Sequence, residues 1–309
     1  MSTPVPGSNP DSPEFIYDEF GYFSENCAEY GLVWDGSVDV ERVSFSPPDA
    51  PDVSGLRWGS GSPRIVFLHG GAQNAHTWDT VALALRPIPL LCLDMPGHGH
   101  SAWRDDGRYD PRSNAAALAA AIEGVAPDAE LLVGMSLGGL TANAIAASNP
   151  GLFDRMVVVD VTPGVTRDKA KEVHDFIAGP QSFPSFQEIF DRTVEFNPTR
   201  TPESLRRGIL HNAHRLDDGS WKWNYDRGEM EGSGEYPVRD EFWTDVDAAA
   251  PSYLLVRGGL SPVVYDDDVA ELMRRRPDAR VVVVDDAGHS VQGDQPNRLA
   301  DIVRAELER

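Results

Sequence analysis

Two cysteines in 309 residues, Cys27 and Cys92, are too few for a disulfide framework or a cysteine-based zinc site. Cys92 lies inside the apolar run Leu90-Leu91-Cys92-Leu93, where a reduced, buried thiol is expected. Basic residues are scarce as well: 27 Lys and Arg face 49 Asp and Glu, a formal net charge of −22. Such a surface repels phosphate backbones and anionic headgroups, so neither nucleic acid nor a membrane is an expected partner. No apolar run approaches the roughly 18 residues that span a bilayer. The stretch from Met1 to Phe15 lacks the basic residues and apolar segment of a secretory leader, which predicts a cytoplasmic location.

What is present suits a folded globular chain, with 41% hydrophobic and 25% charged residues. Residues 1–13, with four prolines among Ser, Gly and Asn, read as a disordered lead-in. Within the 1–37 extension the following aromatics, Phe15 to Trp34, are placed against the main body without an assigned role. From Val38 the pattern changes: Val38 to Ser46 and Val53 to Trp58 read as strands separated by Pro47-Pro48-Asp49. Short apolar runs follow at Ile65–Leu68, Leu90–Leu93, Leu131–Val133, Met156–Val159, Tyr253–Val256 and Val281–Val284, as expected of strands buried on both faces.

Between the runs lie helical stretches: Ser113 to Val125 with Ser113 as cap, Leu137 to Ser148, Asp266 to Arg276 and Asp294 to Leu307. Strand and helix alternate, so the fold class is α/β, with a mostly parallel, doubly wound sheet. The alternation fails over 164–243, where Phe186, Ile189, Phe190 and Val194 recur at helical spacing and Thr201-Pro202 makes a helix start. This segment is expected to be a helical lid inserted into a core made of 38–163 and 244–309. Trp221, Trp223 and Tyr225 alternate around Lys222 and Asn224, which suggests an extended piece within it.

The chemistry concentrates at three places. Gly134-Met135-Ser136-Leu137-Gly138 follows a strand and precedes a helix, the context in which G-x-S-x-G holds a serine Oγ clear of the sheet on a strained turn. A serine hydroxyl is a weak nucleophile and needs a base; His289 follows the strand Val281–Val284 and so lies at the sheet edge that presents Ser136. His69-Gly70-Gly71 follows the strand ending at Leu68, where acyl transfer needs an N–H donor to pair with the one after the nucleophile. Leu137 and Gly71 are the expected oxyanion donors, with Ala72 the substitute for Gly71, and His69 is expected to be structural.

Together with Asp94-Met95-Pro96-Gly97-His98-Gly99-His100-Ser101, these motifs stand in the order of the landmarks of the α/β-hydrolase superfamily, which the chain resembles from about Val38 to Leu307. The resemblance implies that the Asp94 to Ser101 stretch is a structural loop near the site, so that His98 and His100 need not be catalytic. Many members carry the carboxylate that orients the base just after the strand equivalent to Tyr253–Val256. Here that loop reads Arg257-Gly258-Gly259-Leu260-Ser261-Pro262-Val263, without an acid.

Two substitutes remain open. Asp160 ends the strand after the nucleophile's, an arrangement similar to that of haloalkane dehalogenases and zearalenone lactonases. Asp266, Asp267 and Asp268 are the others, though a helix cap and first turn already explain them. Because a triad without its acid loses on the order of 10⁴ in rate, Asp160 is preferred. His211 and His214 lie three apart and could face the same way as metal ligands, but no carboxylate pair accompanies them in the sequence, and lid packing explains them better.

The expectation is thus a serine hydrolase using Ser136, Asp160 and His289, with no cofactor or metal, acting on an ester or lactone of a mostly apolar small molecule. A C–C bond hydrolase of the meta-cleavage-product type is the enzymatic alternative, and a hydrolase-like ligand receptor the non-enzymatic one. A homodimer is compatible with all three.

Overall fold

The computed structural model describes residues 9–48, 50–228, 240–249 and 252–309. In chain order, a short helix α1 (Phe23–Tyr30) precedes the strands β1 (Val40–Phe45), β2 (Val53–Trp58) and β3 (Ile65–Leu68). A 3-10 turn over Ala75–Trp78 leads into α2 (Asp79–Leu85), then β4 (Leu90–Leu93), α3 (Pro111–Val125), β5 (Leu131–Met135), α4 (Leu137–Ser148) and β6 (Arg155–Val159). The insert contributes α5 (Lys171–Ile177), β7 (Ser182–Phe183), α6 (Phe186–Phe196), α7 (Pro202–Asn212), β8 (Ala213–Arg215) and β9 (Trp221–Trp223). The chain then returns through α8 (Asp240–Ala248), β10 (Ser252–Gly258), α9 (Asp266–Arg275), β11 (Arg280–Val284), α10 (Val291–Asp294) and α11 (Pro296–Leu307).

The main sheet has the order β1-β2-β4-β3-β5-β6-β10-β11. Its β1-β2 and β2-β4 pairs are antiparallel and its remaining pairs parallel. The continuous apolar runs are buried on both faces, and the two-residue side-chain period divides them between two cores. Val66, Leu68, Leu132 and Val158 face α3 and α4. Ile65, Phe67, Leu131, Val133 and Val157 face α2 and α11, where Cys92 is buried as expected.

Several local expectations are corrected. The cap of α3 is Asp110, not Ser113: the Asp110 carboxylate accepts from the N–H groups of Arg112 and Ser113, with Pro111 at the first helical position. The helix expected from Asp294 starts at Pro296 as α11, while Asp294 closes the short α10 before it and accepts from Gly288 N–H at 2.7 Å. The insert is not wholly helical, since β7, β9 and β8 form a small antiparallel sheet. Of the lead-in, residues 9–13 are hydrogen-bonded rather than loose: Asp11 accepts from Phe186 N–H at 2.8 Å and Trp221 Nε1 at 3.0 Å. Residues 1–8 lie outside the described part.

Among the described residues no helix is long and apolar enough to cross a membrane. The insert packs over the loops at the carboxyl edge of the parallel strands. Asn212 donates to Ala72 O at 2.7 Å, Asn74 donates to His211 O at 2.8 Å, and Ala72 joins the apolar cluster of Ile189, Ile209 and Trp223.

Candidate active site

Four described non-glycine residues adopt a positive φ: Ala72 (58°), Ser136 (51°), Asp160 (52°) and Asp286 (57°). Each lies just past the end of a parallel strand, β3, β5, β6 and β11 respectively. L-residues avoid this region at a cost of order 1–3 kcal/mol, and such outliers persist where the surroundings hold them for a purpose. At Ser136 the strain comes from the turn itself, which passes from strand to helix through φ 51°, ψ −120°. The bend is possible because its neighbours are bare. A Cβ on Gly138 would sit 2.4 Å from the carbonyl oxygens of Leu68 and His69, and one on Gly134 would sit 2.3 Å from Gly138 O.

Register then brings Asp160 beside Ser136. β5 and β6 pair with Met135 opposite Val159, so Ser136 and Asp160 leave adjacent strands at one height, and Ser136 N–H donates to Val159 O at 3.1 Å. Asp160 is fully buried. A buried carboxylate is costly unless its oxygens are bonded, and here both are. Oδ1 accepts from Gly258 N–H at 2.9 Å, while Oδ2 accepts from Ser261 Oγ at 2.5 Å and lies 2.8 Å from His289 Nδ1. The His289 ring is 14% exposed, which leaves its far edge accessible. Ser136 Oγ makes no hydrogen bond among the described residues. Catalytic hydrogen bonds are commonly loose in ligand-free sites and tighten around substrate.

The structure separates the alternative acids from His289. Asp266 pairs with Arg257 at the surface, Asp267 with Lys169, and Asp268, in the first turn of α9, accepts from the N–H of the cap residue Tyr265 at 2.8 Å. It also sorts the oxyanion candidates. Gly70 N–H donates to Gln73 Oε1 at 3.1 Å and Ala72 N–H to His98 Nε2 at 3.1 Å, so Ala72 is already engaged and does not serve as the substitute donor. Gly71 N–H has no partner among the described residues. Leu137 opens α4, so its N–H belongs to the first turn that no carbonyl within the helix can satisfy. The loop carrying Gly71 touches the elbow: a Cβ on Gly70 would lie 3.4 Å from Ser136 Cβ, and one on Gly71 3.9 Å from Leu137 Cδ2.

The remaining histidines are accounted for. His69 accepts from Met95 N–H at 2.9 Å through Nε2, and its Nδ1 lies 2.7 Å from Gly70 O. Burial, with His98 nearby, drives its pKa down to about 3. His98 is likewise buried and lowered, consistent with a neutral ring that accepts from Ala72. His211 and His214 do not share a face: His214 lies exposed on β8 against Asn224, whereas His211 is buried at the end of α7.

His211 instead joins a cluster that sequence reasoning missed, because its members come from three distant segments. Its ring stacks on His76 at 3.9 Å and 8°, its Nε2 lies 3.7 Å from Asp79, and Tyr17 OH lies 2.7 Å from its Nδ1. His76, Asp79 and His211 have the composition of a metal site. Two parallel stacked rings, however, cannot both aim an in-plane nitrogen at one ion, so this arrangement does not fit one. The contacts of His76 point to a charge network: Nδ1 faces Asp79 at 2.9 Å and Nε2 faces Glu19 at 3.1 Å, which requires both nitrogens protonated. Burial opposes that charge, but Asp79 and Glu19 outweigh it and raise His76 to about 9. Burial also opposes the charge on Glu19, yet bonds from His76 and Arg42 hold its carboxyl down at about 2.

A nucleophile elbow, a buried carboxylate holding a histidine, and the sheet that carries them define an α/β-hydrolase. The sequence matches the Alpha/beta hydrolase family over residues 65–302, and the chain belongs to that family. It is 47% identical over 299 residues to Esterase Rv0045c of Mycobacterium tuberculosis, covering 94% of this chain and 96% of that one. A solved structure of that esterase superposes with a TM-score of 0.84 at 46% identity, covering 94% and 99% of the two chains. Lipase LipV of the same organism is 26% identical over 259 residues, 83% of this chain and 98% of the lipase.

Proposed function

We propose that this protein is a serine hydrolase cleaving a carboxylic ester or lactone through an acyl-enzyme, with Ser136 as nucleophile, His289 as base and Asp160 as the orienting acid. The observation that carries the reading is the 2.8 Å contact between Asp160 Oδ2 and His289 Nδ1, made at the edge where the Ser136 elbow emerges. That contact fixes the proton on Nδ1 and leaves Nε2 free to take the proton of Ser136 as the hydroxyl attacks. Negative charge developing on the carbonyl oxygen falls to the N–H groups of Gly71 and Leu137, the latter at the positive end of α4. The imidazolium then protonates the leaving alcohol. Water, deprotonated by the same ring, frees the acyl group and restores the serine.

The likeness to an esterase supports an ester as substrate. The insert, acting as a lid, supplies Phe176, Leu205, Ile209 and Trp223 to a cavity beside the Gly71 loop, which favours an apolar body for that ester. The test is steady-state hydrolysis of aryl esters and lactones, with a β-diketone as the C–C arm. Ester or lactone turnover that falls to background in Ser136→Ala is the expected result. Turnover confined to the diketone, or surviving in that variant, contradicts the proposal.

A further inference from the structure

The cavity beside the Gly71 loop has a volume of about 120 Å³, room for several water molecules, and its lining is mixed. The insert supplies the apolar side chains named above and, from the same segment, Arg200 and Arg207. Unmet polar atoms concentrate here: of the eleven buried side-chain nitrogens and oxygens without a partner among the described residues, five belong to residues lining this cavity, namely Asn26, Asp79, Arg200, Arg207 and Gln292. Such an atom is costly if nothing meets it, so a cluster of them around one void marks a place built for a polar occupant.

The charges select the occupant. Arg207 is paired with Glu29, and His76 with Asp79 and Glu19. Arg200 is different. Its Nη2 donates to Ser204 Oγ at 2.7 Å, its Nε has no partner, and no carboxylate lies within ion-pair distance of it among the described residues. Its position is held, because the guanidinium lies on the bare face of Gly293, where a Cβ would come within 2.8 Å of Nε. Burial lowers the pKa of this half-buried guanidinium, and Asp294 and Glu29 act on it from beyond ion-pair distance rather than as direct partners. In a chain of net charge −22 the general field does not draw anions in, so a local unpaired cation on a cavity wall is a specific feature.

We infer that this cavity receives the far end of the substrate's acyl chain and that this end carries a carboxylate, bound by Arg200, so that the preferred substrates are half-esters of dicarboxylic acids. The inference rests on the serine-hydrolase reading above. The apolar side chains of the insert take the methylene stem and the Arg200 guanidinium takes the terminal anion. Gln73, on the Gly71 loop, and Gln292, three positions past His289, both line the cavity and meet at 3.5 Å, so on this inference the acyl chain runs past that pair from the scissile carbonyl.

The experiment compares 4-nitrophenyl esters of glutaric, adipic and pimelic acids, each with the distal carboxylate free, against the same esters with that carboxylate methylated. Expected is a kcat/KM ratio of about tenfold or more in favour of at least one free acid, carried by KM, as a charge-assisted contact to an otherwise unpaired cation provides. In Arg200→Gln the ratio falls to about one, Arg200→Lys keeps part of it, and Arg215→Gln, altered on the exposed strand β8, keeps all of it. Thermal melting of each variant identifies any that fail to fold, and the ratio needs only a folded fraction. Hydrolysis of the methylated esters with no preference for the free acids, or a preference that survives Arg200→Gln, overturns the inference and leaves the hydrolase reading standing. Turnover of neither ester by the wild type overturns the hydrolase reading itself.

Discussion

Asp160 and His289 are 129 positions apart in the chain, yet the carboxylate of the first lies 2.8 Å from Nδ1 of the second. The contact is prepared from both sides. Asp160 is fixed by Gly258 N–H and Ser261 Oγ, and the loop of His289 is tied down where Asp294 accepts from Gly288 N–H. Burial pushes the Asp294 carboxyl upward, and the Gly288 bond works against that shift.

The first prediction concerns the acid. Asp160→Asn loses on the order of 10⁴ in kcat, because the amide can favour the wrong tautomer of His289. Asp266→Asn and Asp267→Asn stay close to wild type, since those side chains pair with Arg257 and Lys169. Initial rates on one aryl ester for the three variants decide it, and the reverse ranking would move the acid to the later loop.

A second prediction concerns the hydroxyl that shares Asp160 Oδ2 with the histidine. Ser261→Ala leaves Asp160 with its bonds to Gly258 and His289, so the carboxylate keeps its place but is held less firmly. We expect kcat to fall roughly three- to tenfold with KM little changed. An unchanged kcat would make Ser261 a mere loop-former, tied to Val263 N–H at 3.1 Å.

The elbow's glycines give a third. Gly138→Ala drives a methyl into two backbone carbonyls that have nowhere to go, and costs about 1–3 kcal/mol along with most of the activity. Gly71→Ala meets only Ile177 and Leu137 side chains at ordinary contact distances and should fold normally. Melting curves of the two variants test the contrast.

How much of this was legible in the sequence depends on how local each feature is. The elbow, the histidine loop and the strand-end aspartate each announce themselves within a few residues, because a strained turn between a buried strand and a helix demands a particular local chemistry. The parallel sheet was equally readable from its continuous apolar runs. The β7-β9-β8 sheet was not, since strands of two or three residues are too short to show a period. The Glu19–His76–His211 network was invisible for another reason: its members belong to the extension, the turn before α2 and the end of α7, and only tertiary packing unites them. Arg200 reads in sequence as one more surface cation, and its lack of a direct ion pair among the described residues is a fact of three dimensions.

That network carries the fourth prediction. Folding raises His76 from 6.5 to about 9, so the stability its charge contributes is complete below about pH 6.5 and is lost as pH rises through about 9. Glu19 is lowered from 4.5 to about 2, so its contribution is present above about pH 4.5 and is lost as pH falls through about 2. Glu19→Gln should therefore melt several degrees below wild type at pH 7, with the gap narrowing by pH 10 as His76 loses its proton. A gap independent of pH would show that Glu19 acts through Arg42 alone.

The most direct measurement is intact-mass and peptide mass spectrometry after treatment with a fluorophosphonate, which traps a serine whose hydroxyl is activated by a neighbouring base. The account predicts one adduct per chain, on Ser136, absent from Ser136→Ala and strongly slowed in His289→Ala. An adduct on another residue, or ester hydrolysis by a protein that never labels at Ser136, would contradict it.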